Sequence, residues 1–275
     1  MSLTPRKGWI RPDWNKICLL LEQYLLASCF SSQQIWAGNR HCLMKLLSLF
    51  TLCVTLTIPS QGALIITGVF DGPLPGGDPK GVELFATANI PDLSNFALGV
   101  ANNGGGTDGV ETILPSQPLS AGSFFFVGTE DTDFAQWFGV APGHVGGNGI
   151  NHNGDDAIEL FFDATGSFSG AESVIDVFGD INTDGTGTAW DTVDGWSYRN
   201  DGVLANNGVF DAGNWTFSGP NAWDGDDNFD GGSDNGTNLT ATPSFPAGTF
   251  QIPEPSTALL GAIGLGLFAF LRRKP

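Results

Sequence analysis

The residues whose types and spacing best suit chemistry form an acidic loop that begins at Asp180 and ends at Asp191. Oxygen-bearing side chains occupy its first, third and fifth positions, a glycine the sixth and a carboxylate the twelfth. That is the spacing of a twelve-residue calcium-binding loop. It predicts a Ca²⁺ site with ligands Asp180, Asn182, Asp184, Thr186 (through its carbonyl) and Asp191. Because the twelfth residue is aspartate instead of glutamate and no helical pattern flanks the loop, the alternative is a turn that binds nothing.

Catalytic groups are scarce in the rest of the chain. His144 and His152 are the only histidines beyond residue 41, and both lie in a loop rich in glycine and asparagine. They could bind a metal as a pair, although loop histidines are more often solvated. Asp155, Asp156 and Glu159 could supply a glycosidase pair, but carboxylates are too abundant here to be diagnostic. Since Gly-x-Ser-x-Gly and His-Glu-x-x-His motifs are also missing, we expect no enzyme. The alternative is a secreted carboxylate- or metal-dependent hydrolase.

The region between Leu64 and Leu271 is strongly acidic. It holds 27 aspartates and glutamates against two basic residues, Lys80 and Arg199, so its formal charge is −25. A surface of this sign repels phosphates, which disfavours nucleic-acid binding. Bound cations would relieve the self-repulsion, which again favours Ca²⁺ as a partner. We expect Arg199 to pair with a nearby carboxylate.

Five aromatic residues follow one another late in this region. They are Trp190, Trp196, Tyr198, Trp215 and Trp223. Aromatic rings of this kind could stack on the sugars of a polysaccharide. Large aromatic side chains more often fill a core, and that is what we expect here.

The elements that position these residues are short runs rich in valine, isoleucine and phenylalanine, separated by turns of glycine, asparagine and aspartate. No helical period extends beyond two turns, and the rhythm of a parallel βαβ fold is missing. The pattern predicts an all-β protein built as an antiparallel β-sandwich. The predicted strands are 64–70, 82–88, 96–100, 110–114, 124–127, 157–162, 174–178 and 215–217.

Several motifs of this region occur in a recognisable order. They are VELF at 82–85, DLSNFAL at 92–98, LSAGSFFFV at 119–127, GDDAIEL at 154–160 and VIDVFG at 174–179. From Leu64 to Phe217 the chain therefore resembles the lamin-tail-domain family in its secreted bacterial form. The resemblance implies an immunoglobulin-like β-sandwich that serves as a binding or structural module.

The end of the chain has the layout of a short membrane segment. Residues 257–271 are uncharged and apolar, and as a helix they would span about 22 Å. The hydrocarbon core of a bilayer is about 30 Å thick, so this span is short. Pro253 and Pro255 mark its outer boundary, and the basic residues 272–274 favour the cytoplasmic side. We therefore predict a single C-terminal transmembrane helix.

Pro253, Glu254 and Pro255, with the basic end at Arg272 and Arg273, resemble the PEP-CTERM sorting signal of Gram-negative bacteria. The resemblance implies that an exosortase, an integral-membrane protease-transpeptidase, recognises and processes the tail. It also associates the protein with exopolysaccharide. The alternative is an ordinary membrane anchor that is never cleaved.

The start of the chain has the features of an export leader. A charged residue, an apolar run and small residues predict a signal peptide at 44–63, cleaved after Ala63 or Gly62. Residues 1–43 show no clear period and are interpreted as an over-extended gene model. The alternatives are one long signal sequence or a separate membrane role for 17–30. All four cysteines precede Ala63, so the exported part has no disulfide framework.

The sequence thus predicts an exported structural or binding protein of a Gram-negative cell surface or extracellular matrix, held at least transiently in the membrane. Its segments are an over-extended start (1–43), a signal peptide (44–63), a β-sandwich (64–223), a stalk rich in Gly, Asn and Asp (224–251) and a sorting tail (252–275).

Overall fold

The structure is a computed structural model of the chain that describes residues 62–223 and 244–253. These residues form ten β-strands and one short α-helix, α1 (Thr132–Phe138). The strands are β1 (Leu64–Asp71), β2 (Gly81–Ala86), β3 (Phe96–Ala101), β4 (Thr112–Ile113), β5 (Phe124–Gly128), β6 (His144–Val145), β7 (Ala157–Phe162), β8 (Ser173–Phe178), β9 (Gly195–Arg199) and β10 (Trp215–Phe217).

The strands form two sheets, and antiparallel pairing dominates both. The first sheet has the order β10-β9-β1-β2-β5-β6, and the second has the order β4-β3-β7-β8. The pair β5–β6 is parallel, whereas the other pairs are antiparallel. The prediction of a mostly β protein with antiparallel sheets is therefore confirmed.

The two sheets pack against each other through one apolar core. Alternate residues of β1 and β2, such as Leu64, Ile66 and Leu84, meet residues of β3 and β7, such as Leu98 and Leu160. All of these side chains are fully buried. Alternation of apolar residues along each strand produces this inner face, because successive side chains point to opposite sides of a sheet.

A second apolar core covers the outer face of the six-stranded sheet. It joins Ile65, Phe70 and Phe85 of the sheet to Phe134 and Trp137 of α1. Because the central strands of this sheet are buried on both faces, apolar residues occur on both sides of β1, β2 and β5, as the run Phe-Phe-Phe-Val in β5 predicts.

Helix α1 forms where Glu130 can satisfy its first backbone amides. The two carboxylate oxygens of Glu130 accept hydrogen bonds from the N–H groups of Asp133 and Phe134, each at 2.8 Å. Such bonds replace partners that the start of a helix lacks. The helix ends at Gly139, whose φ of 73° is the left-handed conformation that glycine tolerates best.

Residues 244–253 return to the domain and complete the second core; we call them the strap. Phe245 packs edge-on against Phe70 and Tyr198, with ring centroids 5.0 and 5.4 Å apart. Phe250 packs against Phe85 at 5.1 Å and is 2 % exposed. The structure therefore differs from the predicted stalk, 224–251. Its last part is folded onto the sheet because two phenylalanines anchor it.

Several predicted segments fall outside the described residues. These are residues 1–43, the signal peptide up to residue 61, the stalk from 224 to 243, and the tail beyond Pro253. Ala63 is described and buried, and its carbonyl accepts a hydrogen bond from the N–H of Thr87 at 2.8 Å. Cleavage beside Ala63 remains a prediction. Within the described ranges, no helix has the length and apolar character needed to cross a bilayer.

Candidate functional sites

The predicted calcium loop connects β8 to β9 and lies at the surface. Asp180 is exposed, and its carboxylate accepts hydrogen bonds from the N–H of Asn182 at 3.0 Å and the hydroxyl of Thr183 at 2.9 Å. These bonds favour the charged form, so they lower the pKa of Asp180. Asp184 is also exposed and accepts a hydrogen bond from the N–H of Thr186 at 2.9 Å.

The last predicted ligand, Asp191, is turned towards its own backbone. Its two oxygens accept hydrogen bonds from the N–H groups of Gly187 at 2.8 Å and Val193 at 3.2 Å. The hydroxyl of Thr186 donates to Asp155, which lies outside the predicted ligand set. Among the residues the structure describes, no three His, Cys, Asp or Glu side chains converge where they could hold a metal ion. Calcium binding by this loop remains a prediction.

Thermal melting of the full chain in Ca²⁺ and in chelator tests that prediction. If the loop binds Ca²⁺ when folded, a Ca²⁺ concentration near 100 times the dissociation constant should stabilise the protein by about 2.7 kcal/mol. Asp184→Ala, which removes the oxygen ligand, should abolish this shift, whereas Asp131→Ala, at an exposed carboxylate outside the loop, should preserve it. Equal melting temperatures of the native chain in calcium and in chelator would remove the site.

The late aromatic cluster belongs to the protein interior. Trp190, Trp196, Tyr198, Trp215 and Trp223 are each between 0 and 7 % exposed. Trp190 and Trp215 lie in the inner core, whereas the other three lie in the outer core. The prediction that these rings fill a core is confirmed, because stacking on a sugar requires an exposed ring face.

The only two Lys or Arg side chains of the described residues are both buried and paired. Lys80 lies 3.6 Å from Asp71 (Nζ to Oδ1), and Arg199 lies 2.6 Å from Asp176 (Nη2 to Oδ2). The predicted pairing of Arg199 with a carboxylate is therefore confirmed. Because both cations point inward, the described surface carries acidic residues without any Lys or Arg between them.

The pair Arg199–Asp176 joins the two sheets where β1 separates from β9. Asp176 lies in β8 of the second sheet and also accepts hydrogen bonds from the N–H groups of Ile66 and Asn206. Arg199 lies in β9 of the first sheet and donates to the carbonyls of Ile66 and Leu204. The pair thus satisfies backbone groups of β1 that no neighbouring strand reaches. Burial raises the pKa of Asp176, and the Arg199 guanidinium opposes that rise.

Glu83 is a buried carboxylate that fastens the strap to the sheet. It accepts hydrogen bonds from the hydroxyls of Thr67 at 2.6 Å and Tyr198 at 2.8 Å, and from the N–H of Gly248 at 2.6 Å. Burial raises its pKa, although these three donors oppose the rise. The Tyr198 hydroxyl in turn accepts bonds from the N–H groups of Thr249 and Phe250. The sequence gives no signal of this role, because Glu83 is simply the one polar residue of the motif VELF.

The two histidines have different environments, and neither is a freely solvated loop residue. His152 is completely buried, which lowers its pKa to about 3 and keeps the ring neutral. This corrects the expectation that it is solvated. His144 is half-buried, and its Nε2 lies 3.2 Å from the hydroxyl of Thr112. Burial lowers its pKa as well.

Two of the three carboxylates considered as sources of a glycosidase pair accept hydrogen bonds within the domain. Asp156 accepts hydrogen bonds from the N–H groups of Asn103 and Asn153. Asp155 accepts one from the hydroxyl of Thr186. Glu159 is buried in β7, and burial raises its pKa. Asp155 retains one buried oxygen without a hydrogen bond, as does Glu159.

The described chain ends at Pro253, the first residue of the predicted sorting motif. Pro253 lies beside Gly202. The carbonyl of Gln251 accepts a hydrogen bond from the N–H of Gly202, and the N–H of Gln251 donates to the carboxylate of Asp201. Glu254, Pro255, Arg272 and Arg273 lie outside the described residues.

Comparison with known proteins identifies the end of the chain. Residues 251–274 match the PEP-CTERM protein-sorting motif, which confirms the prediction made for this tail. The motif implies export to the cell envelope of a Gram-negative bacterium and processing by an exosortase. No curated protein and no solved structure matches the chain at a significant level.

Proposed function

We propose that this protein is a structural or binding component of the cell surface or extracellular matrix, sorted by an exosortase and associated with exopolysaccharide. The observation that carries the proposal is the sorting motif at residues 251–274. The folded domain that precedes the motif is its cargo. In this proposal the domain is an immunoglobulin-like sandwich of the lamin-tail type, and a signal peptide at 44–63 starts its export.

The character of the described domain favours a structural role. Its large aromatic side chains fill two cores, its two cations form buried pairs, and the carboxylates of its described surface have no Lys or Arg among them. An acidic surface keeps a secreted protein soluble and suits a hydrated matrix in which divalent cations bridge polyanions. Calcium is accordingly the proposed ionic partner, and the membrane is the proposed transient partner of the tail.

Production of the full chain in an exosortase-bearing Gram-negative host tests this function. The protein recovered from the envelope should lack residues at both ends when its mass is measured. Changing Pro253, Glu254 and Pro255 together to alanine should leave the tail attached and the protein in the membrane fraction. Pro75→Ala, at an exposed proline distant in sequence from the sorting motif, should be processed like the native protein. An intact 275-residue chain free in the cytosol would contradict the proposal.

The recovered protein is then titrated with the exopolysaccharide of the same host. Saturable binding without release of sugar supports a binding module. Release of reducing sugar would instead favour the carboxylate-dependent hydrolase. The first residues to substitute would then be Asp155, Asp156 and Glu159. Absence of binding would remove exopolysaccharide from the proposal and leave the sorting step intact.

A further inference from the structure

A buried polar cluster lies where the first sheet meets the loop before β7. Lys80 immediately precedes β2 and is 4 % exposed, and Asp71 ends β1 and is 3 % exposed. Lys80 Nζ lies 3.6 Å from Asp71 Oδ1 and 3.3 Å from the side-chain oxygen of Asn153. An amine, a carboxyl and a carboxamide are thus held together, although Asn153 follows Lys80 by 73 positions in the sequence.

We propose that Lys80 and Asn153 join covalently through an amide bond between Lys80 Nζ and Asn153 Cγ, with release of ammonia. No cofactor or oxidant is needed, because an amine simply replaces the amide nitrogen of asparagine. This bond would crosslink a region, from Leu64 onward, that contains no cysteine and therefore no disulfide.

The step balances with the three side chains present. The Lys80 ammonium gives a proton to the Asp71 carboxylate, and the neutral amine attacks Asn153 Cγ. Asp71 returns the proton to the departing nitrogen as the carbon–nitrogen bond of the carboxamide breaks. The amine loses its second proton to the same leaving group, so an ammonium ion leaves and a secondary amide remains. Asp71 ends the step as the carboxylate it was at the start.

The environment of the cluster suits this exchange. Burial raises the pKa of Asp71 to about 7, which lets the carboxyl accept and return a proton near neutral pH. His152 beside the cluster stays neutral and does not compete for the proton. Burial of Lys80 and Asp71 also favours transfer of the proton from the ammonium to the carboxylate, since a low-dielectric environment disfavours two opposite charges.

The backbone holds both reacting groups in place. Asn153 is fixed by its own N–H, which donates to Asp156 at 2.9 Å, while the residue itself reaches the surface and leaves ammonia a route out. Gly77 lies against the lysine: a Cβ there would be 2.5 Å from Lys80 Cε and 2.7 Å from Asp71 Oδ1. Only glycine therefore allows the amine to occupy this position. Pre-positioning of this kind replaces an encounter that would be slow in a free chain.

Trypsin offers a direct test on the full-length chain, because Lys80 and Arg199 are the only tryptic sites between Leu64 and Leu271. After denaturation, an unlinked chain is cut after Lys80. A linked chain resists that cut, and Lys80 and Asn153 remain in one fragment that ends at Arg199 and is lighter by one ammonia. Asn153→Ala should restore complete cutting after Lys80. Asn151→Ala, at an exposed asparagine two residues away, should leave the native pattern unchanged.

Three outcomes would overturn the proposal. The first is complete cutting after Lys80 with the mass that the sequence dictates. The second is loss of ammonia with cutting retained, which would indicate that Asn153 has cyclised onto Gly154 instead. The third is resistance to cutting after Lys80 with loss of water, which would mean that Lys80 is joined to Asp71 instead of Asn153.

Asp71→Asn, which keeps the size of the side chain, should give a chain that trypsin cuts fully after Lys80, because no carboxylate remains to accept the proton from the Lys80 ammonium.

Discussion

Replacing Asp176 with alanine is expected to lower the free energy of unfolding by about 3–5 kcal/mol, the usual cost of removing one partner from a buried ion pair. Arg199 would remain 1 % exposed, with a charge that no carboxylate balances. The N–H groups of Ile66 and Asn206 would also lose their acceptor. Urea denaturation of the full-length chain measures the change.

The matched control is Asp131→Asn, which removes an exposed carboxylate but keeps a residue suited to the start of α1, and should change the free energy of unfolding by less than about 0.5 kcal/mol. The double variant Asp176→Leu with Arg199→Met removes both charges and should recover part of the loss, since apolar residues often replace a buried pair at little cost. A loss below about 1 kcal/mol for Asp176→Ala would show that the pair does not hold the two sheets together.

The strands were predictable from sequence because each carries its own local pattern. Predicted strands 157–162 and 215–217 coincide with β7 and β10, and others differ by one or two residues. Strand β9 was missed because Gly195-Trp-Ser-Tyr-Arg199 mixes apolar and polar residues without an aliphatic run. The β6 pairing was missed because two residues in a glycine-rich loop carry no period of their own.

The polar interior could not be predicted in the same way, because burial of a charge depends on distant partners. Lys80 gains its environment from Asp71 and Asn153, and Arg199 from Asp176 on another sheet. The sequence does contain one signal, the scarcity of cations in a strongly acidic region. Because this region has only two basic residues among many carboxylates, each is expected to pair with a carboxylate. The structure confirms this for Arg199, which pairs with Asp176.

The strap could not be predicted from sequence because it lies within a segment whose composition is typical of a linker. Residues 224–251 are dominated by Gly, Asn, Asp, Ser, Thr and Pro, a composition typical of a linker. Phe245 and Phe250 are two of the few large apolar residues in this range, and both anchor the strap to the sheet. The sheet has no room for a side chain at Gly68 beneath the strap, because a Cβ there would clash with Cζ of Phe245. The sorting tail therefore starts at the domain, because Pro253 is still in contact with Gly202.

Changing Phe250 to alanine is expected to cost about 3–5 kcal/mol, because a buried phenylalanine leaves a cavity when it is truncated. The ring is 2 % exposed and lies 5.1 Å from Phe85. Val209→Ala, at a side chain that is 71 % exposed, provides the matched control. Urea denaturation of the full-length chain gives the free energies of unfolding.

A second variant separates docking of the strap from general loss of core packing. Tyr198→Phe keeps the ring but removes the hydroxyl that accepts the N–H groups of Thr249 and Phe250 and donates to Glu83. Leaving the buried N–H of Phe250 without an acceptor, and the buried Glu83 carboxylate with one donor fewer, should cost about 1–3 kcal/mol. Hydrogen exchange at the amides of Thr249 and Phe250 should accelerate more than exchange within β7, because the strap would open before the sandwich unfolds. Equal acceleration in both places would mean that the strap and the sandwich open as one unit, and unchanged exchange would mean that the Tyr198 hydroxyl does not hold the strap.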